Sequence, residues 1–325
     1  MYASLRRLGI TVAAAGALAT TAAFAVAGPA NASPAVSYHF QTLNNNTDLT
    51  FNQLLGINDD GVIAGYFGSG AQGHPNKGYE LWTPGTYRTE NFPASVQTQV
   101  TGLNDDGVTV GFFSTMNTAS MTNNNFGFYA SNGSFHQVNF PTGDNASPQV
   151  DQLLGVNDHG VAVGFYTNGQ GSSRGYEYNI GSHQFTRILP PGYTSGTSLN
   201  SPSLTATGIN NHGDVTGFYN KTSAQVDAFL KLHNGQFITL AVPGASMTQA
   251  FGVNDSDEVV GTYTDGTGNS AQTHGFTWRP GHGFTTVDDP HGIGATTING
   301  VNDHGDLVGF YTDAAGNTDG MLAQP

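Results

Sequence analysis

Gly56-Ile57-Asn58-Asp59-Asp60-Gly61-Val62-Ile63-Ala64-Gly65-Tyr66-Phe67 decides how this chain folds, because it is written six times. It returns as GLNDDGVTVGFF from Gly102, GVNDHGVAVGFY from Gly155, GINNHGDVTGFY from Gly208, GVNDSDEVVGTY from Gly252 and GVNDHGDLVGFY from Gly300, at intervals of 46, 53, 53, 44 and 48 residues. A period of this size marks a repeat architecture. Each phrase reads as a β-hairpin whose turn has Asn58 first and Gly61 left-handed, with Asn and Asp side chains bonding the turn amides. The fifth copy has Asp257 in place of that Gly, and Asp tolerates the left-handed region better than most residues.

Outward from each hairpin runs a polar loop of variable length, then a third strand opening on Gly78-Tyr79, Gly127-Phe128, Gly175-Tyr176, Ala228-Phe229 or Gly275-Phe276. A second turn and a fourth strand follow, the latter ending near Pro93, Pro141, Pro190, Pro243 or Pro290. No segment carries a sustained helical period. Four short strands per 45–50-residue unit is the sequence form of a propeller blade. The sixth unit stops one strand short, around Gly320–Ala323, and the missing strand is at the other end of the chain, within residues 36–43. The expectation is therefore all-β: a single six-bladed β-propeller over residues 33–325, with four-stranded blades and a ring closed by the N-terminal strand in the sixth blade.

The phrase, followed by an aromatic-led strand that reads His274-Gly275-Phe276 in the fifth unit, resembles the HAF repeat of bacterial extracellular repeat proteins. The resemblance covers residues 50–325 and implies an extracellular setting. It brings no catalytic residues and no ligand.

Residues 1–32 read as a cleaved export signal: Arg6 and Arg7, an apolar stretch from Leu8 to Ala27, and an Ala30-Asn31-Ala32 cleavage site. The Arg pair fits a twin-Arg signal only in part, so Sec and Tat export both stay open. The mature chain is expected to be secreted after cleavage near Ala32, a monomer, with no later segment able to span a bilayer. Losing those two Arg leaves seven basic residues against 23 acidic ones, a net of −16, which disfavours nucleic acid and anionic lipid. With no cysteine, disulfides, thiolate metal sites and a Cys nucleophile are excluded.

Candidate chemistry is sparse. Three residues before each opening Gly stand Gln53, Gln99, Gln152, Thr205, Gln249 and Thr297, a level of amides and hydroxyls expected around the central channel, able to bind an uncharged polar ligand or hold water. The turn carboxylates, among them Asp59, Asp105, Asp158, Asp255 and Asp303, are what such turns require. Asp265 and Asp313, in oxygen-rich inter-strand loops, are the better candidates for Ca²⁺, although no calcium-loop motif is present. His159, His212 and His304 share one turn position but belong to separate blades. The paired aromatics closing the second strands (Tyr66-Phe67 and its equivalents) are expected mainly in the core.

No nucleophile elbow, metalloprotease helix or phosphate loop occurs. Asp288-Asp289 with His291 is the one acidic group outside the repeat pattern that could do acid–base work. The leading expectation is a secreted, non-enzymatic module binding an extracellular polymer or protein, such as glycans or cell-wall material. The alternatives are a polysaccharide lyase or hydrolase acting at the channel mouth, and a structural surface protein.

Overall fold

Each repeated phrase forms the hairpin its residues dictate. In the computed structural model, which describes residues 36–116, 123–190, 193, 202–266 and 268–325, strands Asn52–Ile57 and Ile63–Phe67 pair antiparallel across the first turn. The turn closes with Gly61 N–H donating to the Asn58 carbonyl at 3.0 Å, and Gly61 is left-handed at φ 75°. Asp257 holds the equivalent place at φ 57°. The Asn58 side chain accepts the Val62 N–H at 2.8 Å, and the Asn of every later phrase repeats that bond with the residue four places on.

From the axis outward the first blade runs Asn52–Ile57, Ile63–Phe67, Lys77–Thr83, Thr86–Thr89, all antiparallel. The second runs Gln97–Leu103, Thr109–Ser114, Phe126–Ser131, Ser134–Val138, and the third Asp151–Val156, Val161–Thr167, Ser173–Asn179, Gln184–Arg187. In a fourth such sheet, Thr296–Val301, Leu307–Thr312 and Thr318–Gln324 are completed by the N-terminal strand His39–Thr42, with His39 opposite Gln324 and Thr42 opposite Met321. The ends of the chain thus share one sheet, as the strand count requires. The strand is shorter than the expected 36–43, and the export signal at 1–32 lies outside the described residues.

The count of separate blades differs from the six expected. Four sheets are four-stranded, whereas the strands from Leu204–Ile209 to Gly283–Thr286 form one eight-stranded sheet. Its two halves are joined by a single parallel pair, Val226 with Met247. The same kind of contact links other neighbouring units as isolated parallel bridges, Phe51 with Thr318, Asn125 with Val150 and Thr273 with Ala295. Only at Val226 do both partners fall inside regular strands, which makes the sheet continuous there. Among the described residues the only helical element is a 3₁₀ turn, Gly268–Ser270, and no helix is long and apolar enough to cross a membrane.

The core lies between sheets. Leu54, Val100, Leu153, Ala206, Ala250 and Ile298, one per phrase, are all fully buried. Each sits in a cluster shared by consecutive units, as where Val110 and Tyr129 meet Leu153 and Tyr176. The cluster of Leu54 and Tyr79 includes Val308, so the first unit packs on the sixth and the apolar belt closes on itself. Burying each such Val, Leu or Ile side chain is worth about 1.5–3 kcal/mol, so these seams supply the main driving force for closing the ring.

Both glycines of the phrase are steric requirements. A Cβ at Gly56, Gly102, Gly155, Gly208, Gly252 or Gly300 would lie 3.0–3.2 Å from the Cα of the next glycine in that set, so six backbones meet here around the axis. A Cβ at Gly65, Gly111, Gly164, Gly217, Gly261 or Gly309 would lie only 1.9–2.5 Å from a carbonyl oxygen of the paired inner strand.

Candidate functional site

The turn face is closed by two rings of hydrogen bonds. Asn58 Nδ2 donates to the Asn104 carbonyl, Asn104 to Asn157, Asn157 to Asn210, Asn210 to Asn254, Asn254 to Asn302, and Asn302 back to Asn58, at 2.9–3.2 Å. Above them the Asp59 N–H donates to Asp105, Asp105 to Asp158, Asp158 to Asn211, Asn211 to Asp255, Asp255 to Asp303, and Asp303 to Asp59, each to a side-chain Oδ1 at 2.7–2.9 Å. These residues surround a shallow depression of about 90 Å³. Burial, then neighbouring carboxylates, push Asp105 and Asp303 above the usual carboxylate range. Asp59, Asp105, Asp158, Asp255 and Asp303 therefore each spend an oxygen on holding the preceding hairpin of the ring.

One turn deeper, a bulge in every inner strand leaves the residue before the opening Gly out of register: Leu55, Thr101, Leu154, Thr207, Phe251 and Asn299. Thr101 donates to the Leu153 carbonyl, Thr207 to Ala250 and Asn299 to Leu54, each reaching the next inner strand at 2.8–3.0 Å. Bonding polar residues thus alternate with Leu55, Leu154 and Phe251 around the ring. Sequence alternation could not reveal this level, because a bulge breaks the period of two that the reading relied on.

The amide and hydroxyl positions sit two residues nearer the opposite face, each paired with the second strand, Gln53 with Tyr66 and Gln152 with Phe165. Gln53 Oε1 accepts from Tyr66 at 2.7 Å, and Gln99 Nε2 donates to Asn76 Oδ1 at 3.0 Å, while Thr205 is fully buried. Gln152, Gln249 and Thr297 are part-exposed and make no side-chain hydrogen bond to another described residue. The residue just before this position does a job the sequence reading missed. Asn52, Thr98, Asp151, Thr248 and Thr296 each accept, through a side-chain oxygen, the N–H of Asn45, Phe92, Phe140, Val242 or Asp289, and so clamp the incoming connector. One signal was available, a polar residue at that place in all copies but Leu204.

Of the acid–base candidates, Asp289 and His291 are brought into contact, while Asp288 serves a separate local role. Asp288 Oδ1 accepts the Gly275 N–H at 3.1 Å, as Asn91 does for Gly78 and Asn44 for Gly320, and Asp288 Oδ2 lies 2.7 Å from His274 Nδ1. Asp289 is buried and accepts from the His291 N–H and Nδ1 at 2.8 and 3.0 Å, and its Oδ2 has no partner. The His291 ring is 68% exposed, which leaves Nε2 open to solvent. Asp313 takes the N–H groups of Ala315 and Asn317, which hold its carboxyl below the usual range, and Asp265 bonds the Gly266 N–H. Of the three matched histidines only His212 meets carboxylates. With Asp214 and Asp257 it is the one group of three metal-type ligands among the described residues. The closing aromatics mostly pack in the core: Tyr66, Phe113, Phe165, Tyr166, Phe218 and Tyr311 are all buried.

No family model matches the chain, and no curated protein sequence does. Among solved structures it is similar to AofleA from Arthrobotrys oligospora, at 12% identity over 88% of this chain and 86% of that one, with a TM-score of 0.53. It also aligns with a gluconolactonase, XC5397 from Xanthomonas campestris (11% identity, 89% and 90% covered, TM-score 0.47), and with the fungal Aleuria aurantia lectin, a six-bladed β-propeller that recognises fucose (10% identity, 73% and 76% covered, TM-score 0.43). At these identities the likeness is one of fold: this chain is a β-propeller-like assembly of four-stranded blades.

Proposed function

We propose that this chain is a secreted, non-enzymatic six-bladed propeller that binds an uncharged extracellular polymer, of the glycan or cell-wall class, at the face opposite the hairpin turns. The six-blade count rests on reading the Val226–Met247 pair as the inter-blade bridge seen elsewhere, and on six units in each hydrogen-bond ring. Export rests on the sequence of residues 1–32, and extracellular placement also on the resemblance to HAF-repeat proteins.

One contrast carries the binding reading. On the turn face the repeated polar side chains are spent on neighbouring backbones, whereas at the other end of the inner strands Gln152, Gln249 and Thr297 are part-exposed and make no side-chain hydrogen bond to another described residue. Neutral amides and hydroxyls suit sugar hydroxyls, and an excess of acid makes polyanions poor ligands. The test is retention of residues 33–325 on an array of neutral glycans and on cell-wall polymers. Binding that falls at least tenfold in the Gln152→Ala, Gln249→Ala double variant supports the reading, and retention on no neutral polymer sinks it.

A second reading is favoured by the His291–Asp289 contact, in which a buried carboxylate orients a solvent-facing imidazole, as in general-base pairs. In that case the chain is a polysaccharide lyase or hydrolase. Turnover of a polysaccharide panel abolished by His291→Ala would establish it, and no turnover by the wild-type chain would dismiss it.

A further inference from the structure

Two departures from the first three phrases meet between the fourth and fifth hairpins. Val62, Val108 and Val161 follow the turn in the first three phrases, acids follow it in the last three (Asp214, Glu258 and Asp306), and only the fifth turn has Asp257 in place of its left-handed Gly. His212 belongs to the same fourth turn. The structure brings all three to one place, with the ligand atoms of His212, Asp214 and Asp257 within 4.8 Å of one another.

Their surroundings are those of a held ligand set. The Asp214 side chain is almost fully buried, and its Oδ1 accepts the His233 N–H at 2.6 Å and lies 3.2 Å from His233 Nδ1. Asn210 Nδ2 lies 3.4 Å from both Asp214 Oδ2 and Asp257 Oδ1. His233 therefore orients one carboxylate from outside, as the hydrogen-bond partners of metal ligands do. His212 and Asp257 approach from the solvent side, which leaves an entry path. The Asp214 and Asp257 carboxyls are within 4.8 Å of one another, where two ionised carboxylates repel, a penalty that a cation removes.

We propose that His212, Asp214 and Asp257 form a binding site for a divalent transition cation of the Zn²⁺ type, clasping the fourth hairpin to the fifth. One imidazole nitrogen and two carboxylate oxygens match the three protein ligands of a tetrahedral zinc site whose fourth position takes water. An imidazole in the set favours Zn²⁺ over Ca²⁺ and Mg²⁺, which prefer all-oxygen shells. The site is on the turn face, away from the proposed polymer surface, and does not depend on that reading.

The experiment is calorimetric titration of ZnCl₂ into the untagged, chelator-stripped full mature chain, with thermal melts in parallel. One equivalent should bind, and zinc at about 100 times its Kd should raise Tm by several degrees. Asp257→Gly restores the residue of the other five turns, so it should fold at least as well as wild type yet lose the zinc-dependent shift. His212→Ala, an exposed turn substitution, should weaken zinc at least tenfold, and His304→Ala at the matched turn should leave it unchanged. Equal zinc affinity in wild type and His212→Ala, no binding by wild type, or tighter binding of CaCl₂ than ZnCl₂ would each overturn the proposal.

Discussion

Asn302 Nδ2 lies 3.1 Å from the carbonyl oxygen of Asn58, a hydrogen bond between residues 244 positions apart. It is the step at which the last phrase of the chain grips the first. The same side chain accepts the Asp306 N–H of its own turn at 2.9 Å, so one amide both shapes a hairpin and ties it to the next unit. Asn302→Ala removes both and leaves buried groups unmet, at a cost of about 1–3 kcal/mol. Asn302→Asp keeps the acceptor but turns a buried carboxylate oxygen toward the Asn58 carbonyl and Asp306, so near neutral pH it should cost more than alanine. Urea denaturation of the three proteins measures the order, and a wild-type midpoint for Asn302→Asp would show that the link between units contributes nothing.

The glycine at the end of the phrase is the next test. A Cβ on Gly309 would stand 1.9 Å from the Thr297 carbonyl oxygen, a backbone atom that cannot swing away. Gly309→Ala should destabilise by at least the 1–3 kcal/mol typical of overpacking. Alanine at Gly316, where nothing lies within 4 Å of the added Cβ, pays only for its φ of 85°. Melting curves should show Gly309→Ala with clearly the larger loss.

Why some of this was legible in the sequence and some was not follows from the particular residues. The hairpins were readable because Asn, Asp and Gly are there for turn chemistry, which is local. Closure through His39–Thr42 was readable because strands can be counted. The bulge at Leu55 and its equivalents was hidden, since a period of two cannot show an extra residue. The clamp by Thr98 and Thr296 was hidden too, because it joins a strand to the connector before it, a tertiary contact with no spacing rule. The meeting of His212, Asp214 and Asp257 depends on how adjacent units sit, so three matched histidines pointed at the position without revealing which would find acids.

Ring closure by the N-terminal strand predicts a length-sensitive fold. His39–Thr42 covers Thr318–Gln324, and Tyr38 and Phe40 pack on the cluster of Met321 and Ala323. A chain beginning at residue 44 exposes that edge and apolar surface, and edges of this kind seek new partners. It should elute as oligomers or aggregate, or melt many degrees lower, whereas a chain beginning at residue 36 behaves as wild type. Scattering-coupled size exclusion reads the difference.

The last prediction concerns the one inner-strand clamp that is an acid. Asp151 is fully buried and accepts the Phe140 N–H at 2.7 Å and the Tyr176 hydroxyl at 2.5 Å. Burial pushes its carboxyl up to about 7, against the opposing pull of those two bonds. The folded value is above the unfolded one, so the charged form is disfavoured in the fold. The contribution to stability is then fully present below about pH 4 and is lost as pH rises towards 7, by an amount on the order of 4 kcal/mol. Asp151→Asn cannot ionise, and its amide can still accept from Phe140 while donating to the Tyr176 oxygen. Relative to this variant, the wild type should lose stability between pH 4 and 7 and run parallel to it above pH 8. Tyr176→Phe, which removes a bond to the charged form, should move that loss to lower denaturant at every pH above 5 and push its midpoint higher. Parallel curves for wild type and Asp151→Asn across pH 4–8 would show that Asp151 titrates as an ordinary surface acid.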